Sequence, residues 1–343
     1  MDQLQEKQLS RRRFLGGLAT TLGALGLGAG GYNLLGRNSS SVAAQNTSQL
    51  APLTPITITT ASGIRVHGVQ TGWITIKNAH YRLQGPESLR FPSIVADLTW
   101  TQPKPMLFWV IEHPEGLIVV DTGERAGAKD LGTYVACADP GNRFIITRNF
   151  KVNVQEESEL GPQLVKLGLS PNEVRWVIQT HLHFDHANGF EFFPKAEVLV
   201  SSAELYGQRR RPVGAVSCLY PAGFSPKALE YTTKPYETFT SYHALTRAED
   251  VVIVPTHGHS YGHQSILLRD NDKTFFFAGD VVFDERQLLE QEMAGIVHDT
   301  TQARDSMERT RRFTASTPTV FLPTHDPASL QRLAAKQLTE VKT

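Results

Sequence analysis

Apolar runs of four to six residues, each closed by a short polar or glycine-rich segment, recur from about residue 106 onward. Such runs read as buried strands separated by turns. Met106-Leu107-Phe108-Trp109-Val110-Ile111 and Leu117-Ile118-Val119-Val120 are joined by His113-Pro114-Glu115-Gly116. This predicts a hairpin whose second strand ends at Asp121-Thr122-Gly123. Helical spacing over 160–169 closes at Ser170-Pro171, and a buried strand over 175–180 then delivers the chain to His181. Further strands are predicted at 196–200, 250–254, 264–268, 274–278 and 319–322, and helices at 202–209, 302–315 and 328–341. Many strands, few helices and polar loops at strand ends predict an α/β (α+β) chain with two sheets faced by helices. No internal period suggests a solenoid or propeller. The stretch 205–241 lacks periodicity but carries Tyr206, Tyr220, Phe224, Tyr231, Tyr236 and Phe239. It reads as a lid or substrate wall, a packed surface loop being the alternative.

Composition narrows the class. With 343 residues, 40% hydrophobic and 20% charged, the chain can bury a real core, which excludes disordered, collagen-like and polytopic membrane classes. Thirty-four basic residues balance thirty-four acidic ones, so no general affinity for nucleic acid or anionic membrane is expected. The triplet Arg209-Arg210-Arg211 could hold an anionic group, but a solvated face is the simpler reading. Cys137 and Cys218 lack the number and spacing of a thiolate metal site and allow at most one disulfide; two free buried thiols are expected.

The N-terminus reads as an address. Ser10-Arg11-Arg12-Arg13-Phe14-Leu15 precedes a Gly- and Ala-rich apolar stretch, Arg37, and small residues at Ser41-Val42-Ala43-Ala44. This order resembles a twin-arginine (Tat) signal peptide, with an uncleaved anchor as the alternative. The resemblance implies export through the Tat translocase to the periplasm or exterior, with no stable membrane anchor after cleavage. Residues 1–44 carry five basic against two acidic residues, so the remainder is slightly acidic. Domain organisation is then a signal at 1–44, a Thr-, Ser- and Pro-rich linker at 45–59, and one domain at 60–343.

Four polar segments, each following an apolar run, carry the candidate chemistry. They are Thr180-His181-Leu182-His183-Phe184-Asp185-His186, Thr256-His257-Gly258-His259-Ser260-Tyr261-Gly262-His263, Ala278-Gly279-Asp280, and Pro323-Thr324-His325-Asp326. Two imidazoles at i and i+2 on a strand end point the same way. Burying so many ionisable groups without partners is costly, so a metal site is the economical reading. Three imidazoles suit a tetrahedral Zn²⁺ with one open position, and a mixed nitrogen and oxygen set suits a second ion.

HxHxDH at 181–186, GHSxGH at 258–263, AGD at 278–280 and PTHD at 323–326, with Asp121-Thr122-Gly123 upstream, closely resemble the metallo-β-lactamase superfamily. The resemblance covers roughly Pro52 to the C-terminus and implies an αββα sandwich with a site between two sheets. It further implies that His181, His183 and His259 hold one divalent metal and that Asp185, His186 and His325 hold another. Asp280 would bridge the two. Zn²⁺ is the default, with Mn²⁺, Fe²⁺ and Co²⁺ compatible with the ligand types. Two ions about 3.5–4 Å apart can share a hydroxide and lower the pKa of its parent water towards ~7. Asp121 is expected to orient a ligand imidazole, with strand-end capping as the alternative. His263 is expected beside the ligands rather than among them, and His257 in an outer or surface position, although it could line the pocket. His67, His80, His113, His243 and His298 belong to no motif and read as structural.

Within the superfamily, the absence of a Cys ligand disfavours true β-lactamases, and His183 in place of Glu disfavours flavodiiron oxidoreductases. Neutral charge disfavours nucleic-acid members. No glutathione-binding basic residues are recognisable. Residues 113–123, 181–186 and 258–265 look most like N-acyl homoserine lactonases. This implies a small lactone or ester substrate, attack by a metal-bound hydroxide, and a proton passed to the leaving oxygen by Asp185 or Asp280. Lactonases of this type commonly carry a Tyr three residues after the bridging Asp; here that residue is Phe283. The alternatives are a phosphotriesterase or an aryl- or sulfate-ester hydrolase on the same site, and last a non-hydrolytic metal-binding protein. Residues 133–149 read as a long exposed segment, and related lactonases often pair through that region, so a homodimer is expected by analogy.

Overall fold

In the computed structural model, which describes residues 54–342, the hairpin around His113 is the centre of a large mixed sheet. The expected leader and most of the expected linker lie outside the described residues. Strand β1 (Ile56–Thr59) nevertheless falls within the 45–59 linker and pairs with β2 (Arg65–Ile76). The folded domain therefore starts before residue 60. The hairpin strands are β3 (Lys104–His113) and β4 (Gly116–Val120), antiparallel to each other. Strand β5 (Phe150–Val154) shares an edge of β2 with β1, and β6 (Val174–Ile178), β7 (Glu197–Ser201) and β8 (Lys227–Leu229) continue the sheet in parallel.

The second sheet holds β9 (His243–Ala244), β10 (Val251–Pro255), β11 (Gln264–Asp270), β12 (Lys273–Gly279) and β13 (Thr319–Pro323), with β12 and β13 parallel. Strand side chains alternate between faces, and both faces here are buried. Phe275 and Phe277 of β12 join Leu107, Trp109 and Ile111 of β3 in the core between the sheets. Phe276 and Ala278 face the other way, towards Met307 and Phe313. Those two residues lie on the helix Thr300–Ser316, whose N-cap Asp299 accepts from Thr301 and Gln302. Met106, Phe108 and Val110 fill the outer core of the first sheet. The result is the expected sandwich, two sheets with helices outside.

Residues 133–149 are mostly exposed, but they hold a helix, Pro140–Asn149, which Asp139 caps and which buries Ile145 and Ile146. Two other expectations differ. The predicted helix 328–341 runs only from Ser329 to Ala335, where Lys336 adopts a left-handed conformation (φ 48°) that ends it. Cys137 and Cys218 form a disulfide rather than two free thiols, with Cα atoms 6.1 Å apart. An 81-residue separation gives no local signal of that pairing. Among the described residues no helix is long and apolar enough to cross a membrane.

Candidate metal centre

Parallel pairing sets the ends of β4 and β6 side by side, and likewise those of β12 and β13. The loops leaving these ends carry the polar segments. Asp121, first after β4, takes a left-handed conformation (φ 61°) that turns its side chain into the β6 loop. Its Oδ1 accepts from the Thr180 amide at 2.7 Å, and its Oδ2 from the Thr180 hydroxyl at 2.8 Å and from His186 Nδ1 at 2.8 Å. The Thr180 hydroxyl proton is spent on Asp121, so that oxygen accepts from His181 Nδ1 at 3.0 Å. His181 therefore carries its proton on Nδ1 and presents an Nε2 lone pair. One carboxylate thus links two imidazoles, directly to His186 and through the Thr180 hydroxyl to His181, the geometry that an orienting role requires.

His181, His183 and His259 come together in one group, and Asp185, His186 and His325 in another. A third combination, His181, His186 and Asp280, overlaps both. Within each, the available donor atoms lie within 4.8 Å of one another. His183 Nδ1 and His259 Nε2 face each other at 3.0 Å. Asp280 Oδ2 stands 3.5 Å from the Nε2 atoms of His186, His259 and His325 alike, placing this carboxylate between the groups. Asp185 Oδ2 is 3.3 Å from His325 Nε2 and 3.8 Å from His186 Nε2. His325 is fixed from behind, its Nδ1 donating to the Pro105 carbonyl at 3.0 Å.

Electrostatics divide the two groups. Burial, with the neighbouring imidazoles, pushes His181 and His259 well below the ordinary imidazole range, and burial brings His183 down to about 4. These rings are neutral near pH 7. Burial opposes charge at His186 and His325 too, but Asp280 and Asp185 outweigh it, raising His186 well above its usual value and His325 to about 9. Burial likewise pushes the Asp280 carboxyl up, yet His325 and His186 hold it well below the carboxylate range. Without a cation the second group is thus knit by imidazolium–carboxylate pairs; a bound cation would take the place of those protons.

The residues fit such ions. His181 Nε2, His186 Nε2 and Asp280 Oδ1 are buried with no hydrogen-bond partner, although buried polar atoms ordinarily have one. All three point to the same missing ligand chemistry: cations accepting nitrogen and carboxylate donors.

Supporting residues are partly those expected. His263 Nε2 accepts from the Asp280 amide at 2.8 Å, and its Nδ1 donates to the Thr256 carbonyl at 3.1 Å. Both nitrogens are occupied, so His263 positions Asp280 rather than joining the donor groups. His257 is half-buried, with its ring near Tyr231, and does not line the cavity. Glu204 escaped sequence reasoning, since a lone Glu in a predicted helix reads as solvent-facing. It is 3% exposed. Its Oε1 accepts from Leu182 N at 3.0 Å, and its Oε2 from Ser260 Oγ at 2.7 Å and Gly262 N at 2.8 Å. One carboxylate therefore ties together the two loops that bear His181, His183 and His259.

The groups open into a narrow cavity. Ile74, Ile76, Phe150, Phe184, Val213 and Ile296 make its walls apolar. Phe283 is buried, its ring 5.8 Å from that of His259 and 5.7 Å from that of His325, so a phenyl ring rather than a hydroxyl adjoins both groups. The 205–241 stretch contributes a fixed wall through Val213 and Gly214. Gly214 has φ 90°, and a Cβ there would lie 2.9 Å from the His183 ring. Asn142 anchors this wall, its Oδ1 accepting from Gly214 N at 2.8 Å and its Nδ2 donating to Pro212 O at 3.1 Å. The Cys137–Cys218 bridge clamps the same two segments. Arg210 instead stacks over Tyr206, and the Arg triplet does not line the cavity.

Comparison with known proteins agrees with this architecture. The sequence profile of the metallo-beta-lactamase superfamily matches residues 105–325. A probable metallo-hydrolase of Mycobacterium tuberculosis is 28% identical over 180 residues, covering 51% of this chain and 56% of that protein, so the chain spans little over half of that relative's length. The N-acyl homoserine lactonase AttM of Rhizobium radiobacter is 24% identical over 238 residues, covering 65% of this chain and 82% of that one. Among solved structures, a B. thuringiensis protein crystallised with N-decanoyl-L-homoserine at its active site superposes with a TM-score of 0.62 at 19% identity, covering 78% of this chain and 94% of that one. Its likeness is one of fold. The profile match spans β3 through β13 and contains Asp121 and all seven donor residues, and the chain belongs to the metallo-beta-lactamase superfamily.

Proposed function

We propose that this chain is an exported, dinuclear metal-dependent hydrolase that opens lactones or small esters, with N-acyl homoserine lactone as the leading substrate. The observation that carries the reading is Asp280 Oδ2 set 3.5 Å from nitrogens of both donor groups, at the base of a narrow apolar cavity. The similarity to proteins named N-acyl homoserine lactonases supports the substrate. His181, His183 and His259 would hold one cation, Asp185, His186 and His325 the other, and Asp280 both. Two such cations, Zn²⁺ by donor type, supply Lewis acidity at a carbonyl oxygen and activate water near neutral pH. The apolar walls orient the acyl group and exclude bulk water. Asp185, which lines the cavity, accepts the proton lost as water adds to the carbonyl carbon and returns it to the ring oxygen as the C–O bond breaks.

Export rests on the twin arginines at 11–12 and the apolar stretch that follows, and the disulfide suits an oxidising compartment. Replacing Arg11 and Arg12 by Lys should retain the protein inside the cell, measured by fractionation. Hydrolysis is tested by proton release from a long-chain N-acyl homoserine lactone by zinc-loaded protein, with Asp280→Asn as control. Release abolished by the substitution supports the reading. Silence from protein holding two metals per chain, with turnover of phosphotriesters or aryl esters instead, overturns the substrate.

A further inference from the structure

His80 belongs to no motif, yet it lines the cavity beside the donor groups. It lies on the helical turn Asn78–Tyr81 that follows β2, and its backbone is pinned on both sides. Its amide donates to Lys77 O at 3.0 Å, and its carbonyl accepts from Gly295 N at 3.0 Å and Ile296 N at 3.2 Å. The approach is close enough that a Cβ on Gly295 would lie 1.7 Å from the Ala79 carbonyl oxygen. The imidazole meets Phe150 edge-on at 4.9 Å and stacks on Phe283 at 6.3 Å. These are contacts that a phenyl ring would make equally well.

The nitrogens are what a phenyl ring lacks. His80 is 5% exposed, and its Nδ1 is buried without a hydrogen-bond partner. Burial also lowers its pKa, to about 3, so the ring is neutral, with one N–H to give and one lone pair to offer. The other neutral polar side chain of the wall is already committed: Tyr81 donates its hydroxyl to Asp284 Oδ2. The ammonium of Lys104 is drawn to the same carboxylate, its Nζ 3.4 Å from Asp284 Oδ2 and 4.3 Å above the Tyr81 ring. Among the described neutral lining side chains outside the donor groups, His80 alone has hydrogen-bonding capacity that no protein group engages. A phenyl ring would avoid the cost of an unsatisfied buried polar group, so wall packing alone does not account for an imidazole at this position.

We propose that His80 is a specificity-determining residue that hydrogen-bonds a polar substituent next to the reacting carbonyl, selecting lactones with an amide-linked side chain over plain alkyl lactones. The inference rests on the lactone reading above and assigns the contact that discriminates within it. A site that hydrogen-bonds its substrate rejects an analogue lacking the group far more strongly than an apolar pocket discriminates by size.

The test compares kcat/KM for an N-acyl homoserine lactone and a γ-alkyl lactone of equal chain length, using zinc-loaded full-length protein. The wild type should prefer the amide substrate, and His80→Phe should cut that preference ratio by about tenfold or more. His80→Gln, which restores hydrogen-bonding capacity, should recover part of it, and thermal unfolding of each variant reports whether the fold is intact. A ratio unchanged within about twofold in His80→Phe overturns the proposal while leaving the lactonase reading standing. If the wild type opens neither lactone, the functional reading fails, and calorimetry with the non-hydrolysable N-acyl and alkyl γ-lactams decides His80 separately. Preferential binding of the amide lactam, lost in His80→Phe, supports the role, and equal or absent binding overturns it.

Discussion

Asp121→Asn isolates the orienting role of a carboxylate that stands outside the donor groups. Asn tolerates the left-handed backbone at φ 61°, so the change adds little conformational strain, whereas Ala would add some. Asp121 serves three donors: Thr180 N, Thr180 Oγ1 and His186 Nδ1. An amide offers one oxygen. If that oxygen takes the Oδ2 position, its NH₂ opposes the Thr180 amide N–H, leaving a buried donor unsatisfied at about 1–3 kcal/mol. If it takes the Oδ1 position, the NH₂ confronts His186 Nδ1 and forces the imidazole proton onto Nε2, the atom needed for a cation. Either outcome should weaken metal binding at the Asp185–His186–His325 group by about 10- to 100-fold, or about 1.4–2.8 kcal/mol at 1.4 kcal/mol per tenfold. A smaller loss should reach the other group, because the Thr180 hydroxyl links Asp121 to His181. Zinc titration of metal-free protein against a chelating competitor resolves the two sites, and urea unfolding of the metal-free variant checks the fold. Both affinities unchanged within about twofold would show that Asp121 merely caps the strand end, and the orienting argument would fall.

Glu204→Gln keeps the shape of the clamp but loses one acceptor, and should weaken zinc binding at the three-imidazole group by about tenfold in the same competition assay; equal loss at both groups would contradict the assignment of this clamp. Opening the Cys137–Cys218 bridge by a double Ser substitution should cost about 4.5 kcal/mol on the chain-entropy estimate for a loop of this length. Urea unfolding reads it, and a loss below about 1 kcal/mol would mean that Asn142 and its hydrogen bonds already fix the wall. Burial raises the Glu124 carboxyl from 4.5 to about 8. The folded chain therefore holds a proton that the unfolded chain has released, and this group's contribution is full below about pH 4.5 and lost as pH rises through about 8. The stability of Glu124→Gln relative to the wild type should accordingly increase from pH 5 to pH 9 in denaturant titrations, and a flat difference would refute the shift.

The donor residues were legible because their chemistry is local and expensive. A His or Asp delivered into a core by an apolar strand must find partners, so 181–186 packs several of them within six residues, and each remaining donor closes its own apolar run. Long β2 was not legible for the opposite reason. Gly68, Gly72, His67, Gln70 and Thr71 interrupt any alternation, and the strand is nearly all buried on both faces, so period two carries no polar signal. Glu204, the disulfide and the Asn142 anchor share another cause: each acts across dozens of residues. Glu204 reaches 56 positions to Ser260, and Asn142 reaches 72 to Gly214. Only the folded chain makes those pairs neighbours.

The same distinction explains why the centre is easier to assign than the substrate. A metal centre constrains residue identity, since few side chains offer a nitrogen or carboxylate donor at the required place. A substrate wall constrains mainly volume and polarity, and Ile74, Ile76, Phe150 and Ile296 could be exchanged among apolar residues with modest consequence for the fold. Family resemblance therefore speaks clearly about the ligands and weakly about the wall, the part that decides what is bound. The residues of the wall thus carry more information about the substrate than those of the centre. Phe283 sets a phenyl ring beside both donor groups, and His80, stacked on it, sets an imidazole nitrogen in the same wall. On the proposal that this site opens lactones, a wall of that composition would read the substrate from its side chain more than at its carbonyl.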